Sequence, residues 1–322
     1  MEKTQSLHAP FPVRKRSTLF PSTGNYRSRR IRLESFSSLH RKMGKTHEGR
    51  EESATFQATN PILRENDEGF APESQTGQFS ESTLAGLPGG PHMGLLFHDI
   101  LEFLDYRILQ ETGAHTLVNP SVLLENPSAR DLISGRVAFY GIDPVWKGAI
   151  CGIVCNTLTA PILSAGKPFT LAQIRKEDRR HEMEFYYPFP VPFYGYEKIP
   201  GFTIGDGFIR GFVDLIFQWG GKFYIADWKS NTLEAGYERE SMEMSMVQSQ
   251  YHLQYRLYAI ATLRWLKQAL GNRFDPEKHF GGVFYFYLRG MDSKGQTGIY
   301  HIPSQEMGTL EQIEKEVREM IE

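Results

Sequence analysis

Apolar residues at Leu96, Ile100, Phe103, Leu104 and Ile108 recur every three to four positions and predict a helix from Met93 to about Gln110. From 111 to 180 the pattern stays mostly helical, with breaks at Pro120, Pro127, Pro144 and Pro161. The pattern then changes. Residues 182–193 (EMEFYYPFPVPF) predict an extended strand, and 207–217 (GFIRGFVDLIF) with 222–230 (KFYIADWKS) predict a hairpin around Gly220-Gly221. A long helix is expected from about 242 to 270, ending at Gly271 as its C′ residue. A strand, VFYFYL at 283–288, and a helix over 308–321 complete the chain, and no internal repeat is present.

Ahead of these elements the periodicity is lost. Residues 1–28 mix Pro10, Pro12, Pro21 and Gly24 with basic side chains and read as a flexible basic tether. Residues 29–90 read as the start of the folded region with a polar insertion. Ile31, Leu33 and Phe36 give a short extended segment, Ser35 or Ser37 could cap a turn through Leu39 to Arg41, and 44–90 form a long polar loop. The main domain is expected over 91–322. Charge follows the same division: residues 1–50 hold twelve Lys/Arg against Glu2, Glu34 and Glu48, whereas 51–90 hold Arg64 against seven acids. A basic leader is compatible with nucleic acid, but blocks of like charge also serve as solvated linkers, so charge alone assigns nothing.

Composition narrows the classes. At 322 residues the chain is one large domain or two modest ones, and 40% hydrophobic residues are too many for a disordered chain. No run approaches the roughly 18 apolar residues of a membrane-spanning helix, and the amino terminus lacks the apolar stretch of a secretory signal. A cytoplasmic chain is therefore expected. Cys151 and Cys155 cannot supply the four thiolates of a typical iron–sulfur cluster or a disulfide framework, and are expected to be small buried residues.

The chemistry lies in the hairpin. Asp214 sits in GFVDLIF and Asp227 in YIADWKS, so the two carboxylates can face each other across adjacent antiparallel strands. Strand alternation sends Asp227 and Lys229 to one face and Ala226 and Trp228 to the other. Two acids among Val213, Leu215, Ile225 and Ala226 would be costly to bury unpaired. A divalent metal such as Mg²⁺ or a structural Asp–Lys ion pair would each satisfy them. On the first helix, Gly94, His98 and Glu102 share a face at i, i+4 and i+8, offering an imidazole as a metal ligand beside a glycine that permits close helix–sheet contact. On the later helix Gln254 and Tyr258 also share a face, able to hold a phosphate, a metal-bound water or a catalytic side chain.

Taken in order, GLLFHDILE, GFVDLIF, DWK and QYRLY resemble the PD-(D/E)XK nuclease superfamily in its G-x-x-x-H-x-x-x-E, D, D-x-K and Q-x-x-x-Y form. DWKSN, YHLQYRLYAIATLRWL and HFGGVFYFYLRGM are similar to the carboxyl-terminal nuclease domain of the RecB family, and the likeness extends over most of 29–320, with RLESFSSL near its start. The resemblance implies an α/β, restriction-endonuclease-like core with a mixed central sheet flanked by helices. It implies Mg²⁺-dependent hydrolysis of DNA phosphodiesters, mainly in single strands, in double-strand-break repair, recombination and degradation of foreign DNA. Carried onto this sequence, it makes His98, Asp214, Asp227 and the Trp228 backbone carbonyl metal ligands, Lys229 the motif lysine, and Gln254 and Tyr258 its support. Glu102, Glu182 and Glu184 are weaker candidates outside that set.

RecC-like and RecD-like subunits, a helicase motor in cis or in trans and an interaction with RecA follow from the same likeness. The motor itself is missing: Gly166-Lys167 is followed by Pro168 and lacks the first glycine of a phosphate-cradling loop. A stand-alone nuclease outside such a complex is one alternative. An inactive DNA-binding or docking module is another, and it expects loss of Asp214, Asp227 or Lys229, all of which are present.

Overall fold

The computed structural model describes residues 33–35, 86–112, 119–163, 168–188, 208–249 and 251–321. The basic tether, the turn at Leu39–Arg41, most of the polar loop and the 189–193 end of the predicted strand lie outside the described residues. The hairpin forms as expected. Strands β3 (Phe208–Trp219) and β4 (Lys222–Lys229) pair antiparallel, and Gly220 and Gly221 between them have φ of 57° and 82°. Two consecutive positive φ values are what a type I′ turn demands, and glycine meets them without strain.

The sheet is mixed. β1 (Leu33–Ser35) runs parallel to the start of β3, and β2 (Arg179–Pro188) lies antiparallel along β3. β5 (Phe280–Tyr287) runs parallel to β4, and β6 (Ile299–Pro303) lies antiparallel to β5. A parallel β4–β5 pair needs a long crossover. Residues 230–279 supply it, with helices at Arg239–Gln248 and Tyr251–Leu270.

Helices cover both faces. On one, α1 (Pro91–Phe103), α2 (Pro127–Phe139) and α3 (Lys147–Thr159) bury Leu96, Ile100, Ile133 and Val154 against Phe217, Tyr224 and Phe284. On the other, α4 (Arg239–Gln248), α5 (Tyr251–Leu270) and α6 (Leu310–Ile321) cover Val213, Ile225 and Tyr285 with Met246, Leu257, Ile260 and Val317. Ile225 joins the second core while Ala226 and Trp228 join the first, as strand alternation requires. Cys151 and Cys155 are buried free thiols in α3, each pushed up to about 12 by desolvation.

Several elements differ from the sequence reading: β2 already begins at Arg179, inside the stretch read as helical, and the last helix begins at Leu310. The first helix stops at Phe103, because Leu104 turns extended and Asp105 accepts the backbone N–H of Arg107, starting a separate 3₁₀ segment over Tyr106–Thr112. The long helix is two helices: α4 packs on β6, whereas α5 lies against β2, β5 and α6, directions that one straight rod could not serve. Strand β6 was not predicted at all. It is a five-residue element next to β5, with a buried residue only at every second position.

The β4–β5 pairing also fixes two glycines. The register shifts between Phe223 and Tyr224, and the Tyr224 ring lies where a side chain on residue 281 would stand, with a Cβ on Gly281 falling 2.0 Å from Tyr224 Cε1. Gly282 beside it has φ 115° and faces the Ile302 carbonyl. Gly281→Ala is expected to destabilise the fold by about 1–3 kcal/mol through overpacking, read as a lower urea midpoint at unchanged slope.

Candidate active site

The two acids of the hairpin are buried together, Asp214 8% and Asp227 1% exposed. Asp214 Oδ2 accepts the Trp228 backbone N–H at 2.9 Å, tying β3 to β4 just beyond their last paired residues. Desolvation, reinforced by the charge of Asp227, holds the Asp214 carboxyl well above the usual carboxylate range.

Helix α1 brings His98 to the same place. Its Nε2 lies 3.3 Å from the Trp228 carbonyl oxygen and its Nδ1 3.7 Å from Asp214 Oδ1. Desolvation lowers the imidazole below its ordinary value against the opposing pull of Asp227, so the ring is neutral and able to donate a lone pair to a metal. The close approach expected of Gly94 is present: a Cβ there would stand 3.1 Å from Ser230 Oγ, one residue past Lys229.

Glu182 completes the group. It sits opposite Asp214 in the β2–β3 register, between the pairs His181–Leu215 and Met183–Val213, and offers an oxygen that lies with a His98 nitrogen and an Asp214 oxygen inside a 4.8 Å cluster. Among the described residues it is the non-glycine residue with positive φ, 49°. Non-glycine residues in that region are uncommon and cluster at functional sites. Desolvation, then the Asp214 charge, pushes its carboxyl up to about 7. The sequence reading kept Glu182 outside the core set, since an acid on a predicted strand shows no sign of its backbone turn. Glu102 faces the cluster from α1 and adds to the field that raises Glu182, while Glu184 is exposed further along β2.

Lys229 is held from several sides. Its Nζ lies 2.6 Å from Asp227 Oδ2, donates to Gln254 Oε1 at 3.0 Å, and stands 3.9 Å from the centre of the Tyr251 ring and 5.3 Å from that of Tyr285. Burial pulls the ammonium down, but Asp227, Tyr251 and Asp214 together keep it above its ordinary value. Gln254 is fixed in turn: its Oε1 also accepts from Tyr285 OH at 3.0 Å, and its Nε2 donates to Tyr258 OH at 2.9 Å. Gln254 thus touches Lys229 directly, and Tyr258 acts on it through Gln254. Tyr251 and Tyr285 were not singled out in the sequence, where aromatic residues are too numerous to mark two of them.

The donor set fits a divalent cation. Two carboxylates, Asp214 and Glu182, converge with the neutral His98 imidazole, and the Trp228 carbonyl lies beside that ring. Asp227, paired with Lys229, stands outside this cluster, and oxygen predominates as a hard cation prefers. Asp227 Oδ2 is buried against the Lys229 ammonium at 2.6 Å, a close charge-assisted contact.

Residues 85–322 match the PD-(D/E)XK nuclease superfamily. The chain is 28% identical to RecBCD enzyme subunit RecB of Escherichia coli (strain K12) over 232 residues, 66% of this chain and 18% of that protein. It is 31% identical to the subunit of the same name from Haemophilus influenzae over 238 residues, 71% of this chain and 19% of that one. The chain thus spans about a fifth of the length of the curated relatives it matches.

Proposed function

The chain belongs to the PD-(D/E)XK nuclease superfamily, and from that premise we propose that it hydrolyses DNA phosphodiesters with Mg²⁺, as the nuclease module of a RecBCD-type exonuclease. The observation that supports this best is the cluster of His98, Glu182 and Asp214, whose ligand atoms lie within 4.8 Å of one another, beside the buried Asp227–Lys229 pair. Asp214, Asp227, His98 and the Trp228 carbonyl would hold the ion, with Glu182 as a further carboxylate. When bound, the metal lowers the pKa of a coordinated water and polarises a phosphoryl oxygen.

The chain's own residues do the rest. Lys229, kept protonated by its carboxylate and tyrosine neighbours, offers a fixed positive charge where negative charge gathers on the phosphorus oxygens. Gln254 holds that ammonium at one azimuth, and Tyr258 and Tyr285 hold Gln254. In the metal-free chain burial raises the Glu182 carboxyl to about 7, and as a ligand it would give up that proton on binding the ion. The expected products carry a 3′-hydroxyl and a 5′-phosphate.

Single-stranded DNA delivered by a helicase motor is the substrate in this reading, with RecC-like and RecD-like subunits and RecA as partners in the cytoplasm. Among the described residues no helix is long and apolar enough to cross a membrane. The test is digestion of end-labelled single-stranded and duplex DNA by the chain with Mg²⁺, beside Asp227→Ala and a chelator. Single strands should be cut, and both controls should stop it. Intact DNA with the wild-type chain, even after RecC-like and helicase subunits are added, would refute the reading.

A further inference from the structure

The two halves of the candidate site, helix α1 and the exit of β4, lie far apart in the chain, and one side chain joins them. Arg289, in the 3₁₀ turn Leu288–Gly290 that follows β5, is 8% exposed. Its Nε donates to the Ser230 carbonyl at 2.8 Å, Nη1 to the Leu87 carbonyl at 2.9 Å, and Nη2 to the Pro88 carbonyl. Ser230 follows Lys229 at the exit of β4, and Leu87-Pro88 lead into α1, which presents His98. Among the described residues no carboxylate pairs with this guanidinium. Its three bonds run to backbone atoms 59, 202 and 201 residues away in the chain.

We propose that Arg289 is a positioning residue of the metal site, a buried fork that sets the helix bearing His98 against the strand end bearing Asp227, Trp228 and Lys229. This rests on the nuclease reading above. Burying a charged group is expensive unless its donors are met, and a purely structural filler at this place would be apolar. A planar guanidinium reaches two segments at once, which a lysine ammonium, a single point of donors, does not. The surroundings accommodate the fork. Gly290 lets the Tyr237 ring lie where a Cβ would stand 2.0 Å from Tyr237 Cγ, and Tyr237 OH donates to the Asn231 carbonyl, bracing the same β4 exit. The consequence falls on the His98 Nε2 to Trp228 carbonyl spacing of 3.3 Å, two donors that would face one ion.

Arg289→Lys in the full chain tests this, with Mn²⁺ as the probe and its free electron-paramagnetic-resonance signal as the readout, at a temperature where circular dichroism shows the variant folded. Mn²⁺ affinity is expected to fall about tenfold, in the range seen when residues supporting metal ligands are lost. Adding His98→Ala to Arg289→Lys should cost far less than His98→Ala costs alone. Unchanged Mn²⁺ affinity in the folded variant, with a lower melting temperature only, would overturn the positioning role. A wild-type chain that binds no Mn²⁺ would instead remove the nuclease reading, and the positioning role with it. Native-state hydrogen exchange on the unsubstituted chain covers the case of a variant that does not fold. Amides of 94–98 and of Trp228, which are hydrogen-bonded, should open as one unit, and independent opening would overturn the clamp.

Discussion

Lys229→Met is expected to slow cleavage by about 10²–10³-fold, the usual loss when one preorganised positive group is withdrawn from a transition state, while Mn²⁺ binds more tightly than to the parent. The two directions have one cause. Lys229 Nζ sits 2.6 Å from Asp227 Oδ2, and a cation at the same carboxylate must share it with the ammonium. Methionine fills the volume left between Tyr251 and Gln254 but withdraws the competing charge, so the site becomes a better metal binder and a poorer catalyst. In the metal-free variant Asp227 is a buried acid without its counter-charge, and breaking such a pair destabilises by about 3–5 kcal/mol. The melting temperature should therefore drop in chelator and recover with Mn²⁺. Paired measurements of single-turnover cleavage and Mn²⁺ affinity check this; weaker Mn²⁺ binding by the variant would mean that Lys229 supports the ion instead of competing with it.

The hairpin and the placement of its acids and lysine were legible because each signal was local. Gly220-Gly221 specifies a tight turn, alternation assigns Asp227 to the face opposite Trp228, and a four-residue step brings Gln254 to Tyr258. What escaped depends on contacts distant in the chain. β6 is a strand because β5 lies beside it, and IYHIP has too few residues to declare a period of its own. The break between α4 and α5 answers two different packing partners that no window of sequence contains. Glu182 was visible as an acid on a strand, yet its place in the cluster follows from a backbone φ of 49° and from the register with β3, both products of the assembled sheet. Arg289 in VFYFYLRGM looks like an ordinary basic residue after a strand, and its three carbonyl partners are set by the fold alone.

Asp214→Asn should abolish cleavage and at the same time make the metal-free chain more stable near neutral pH. In the folded chain Asp214 and Glu182 both hold their protons more tightly than in the unfolded chain, Asp214 well above the carboxylate range and Glu182 to about 7. The sign follows from linkage. A raised acid contributes its stability fully below its unfolded value near 4 and loses it as pH rises through the folded value. The metal-free parent should therefore melt at a lower temperature at pH 8 than at pH 5. Asparagine is a permanently neutral isostere of the protonated acid, and its amide oxygen can still accept the Trp228 N–H. It also withdraws the charge that raises Glu182. The variant's pH dependence should flatten, with a gain on the order of 1–3 kcal/mol at pH 8. Divalent metal reverses the order, since binding to the folded state stabilises the parent by mass action and displaces the protons that its carboxylates retain. Calorimetry of both chains at pH 5 and pH 8, in chelator and in Mg²⁺, separates these effects. A variant less stable than the parent at pH 8 in chelator would mean that the Asp214 carboxylate is already compensated without metal, so that the buried acids of this site are not held in reserve for a cation.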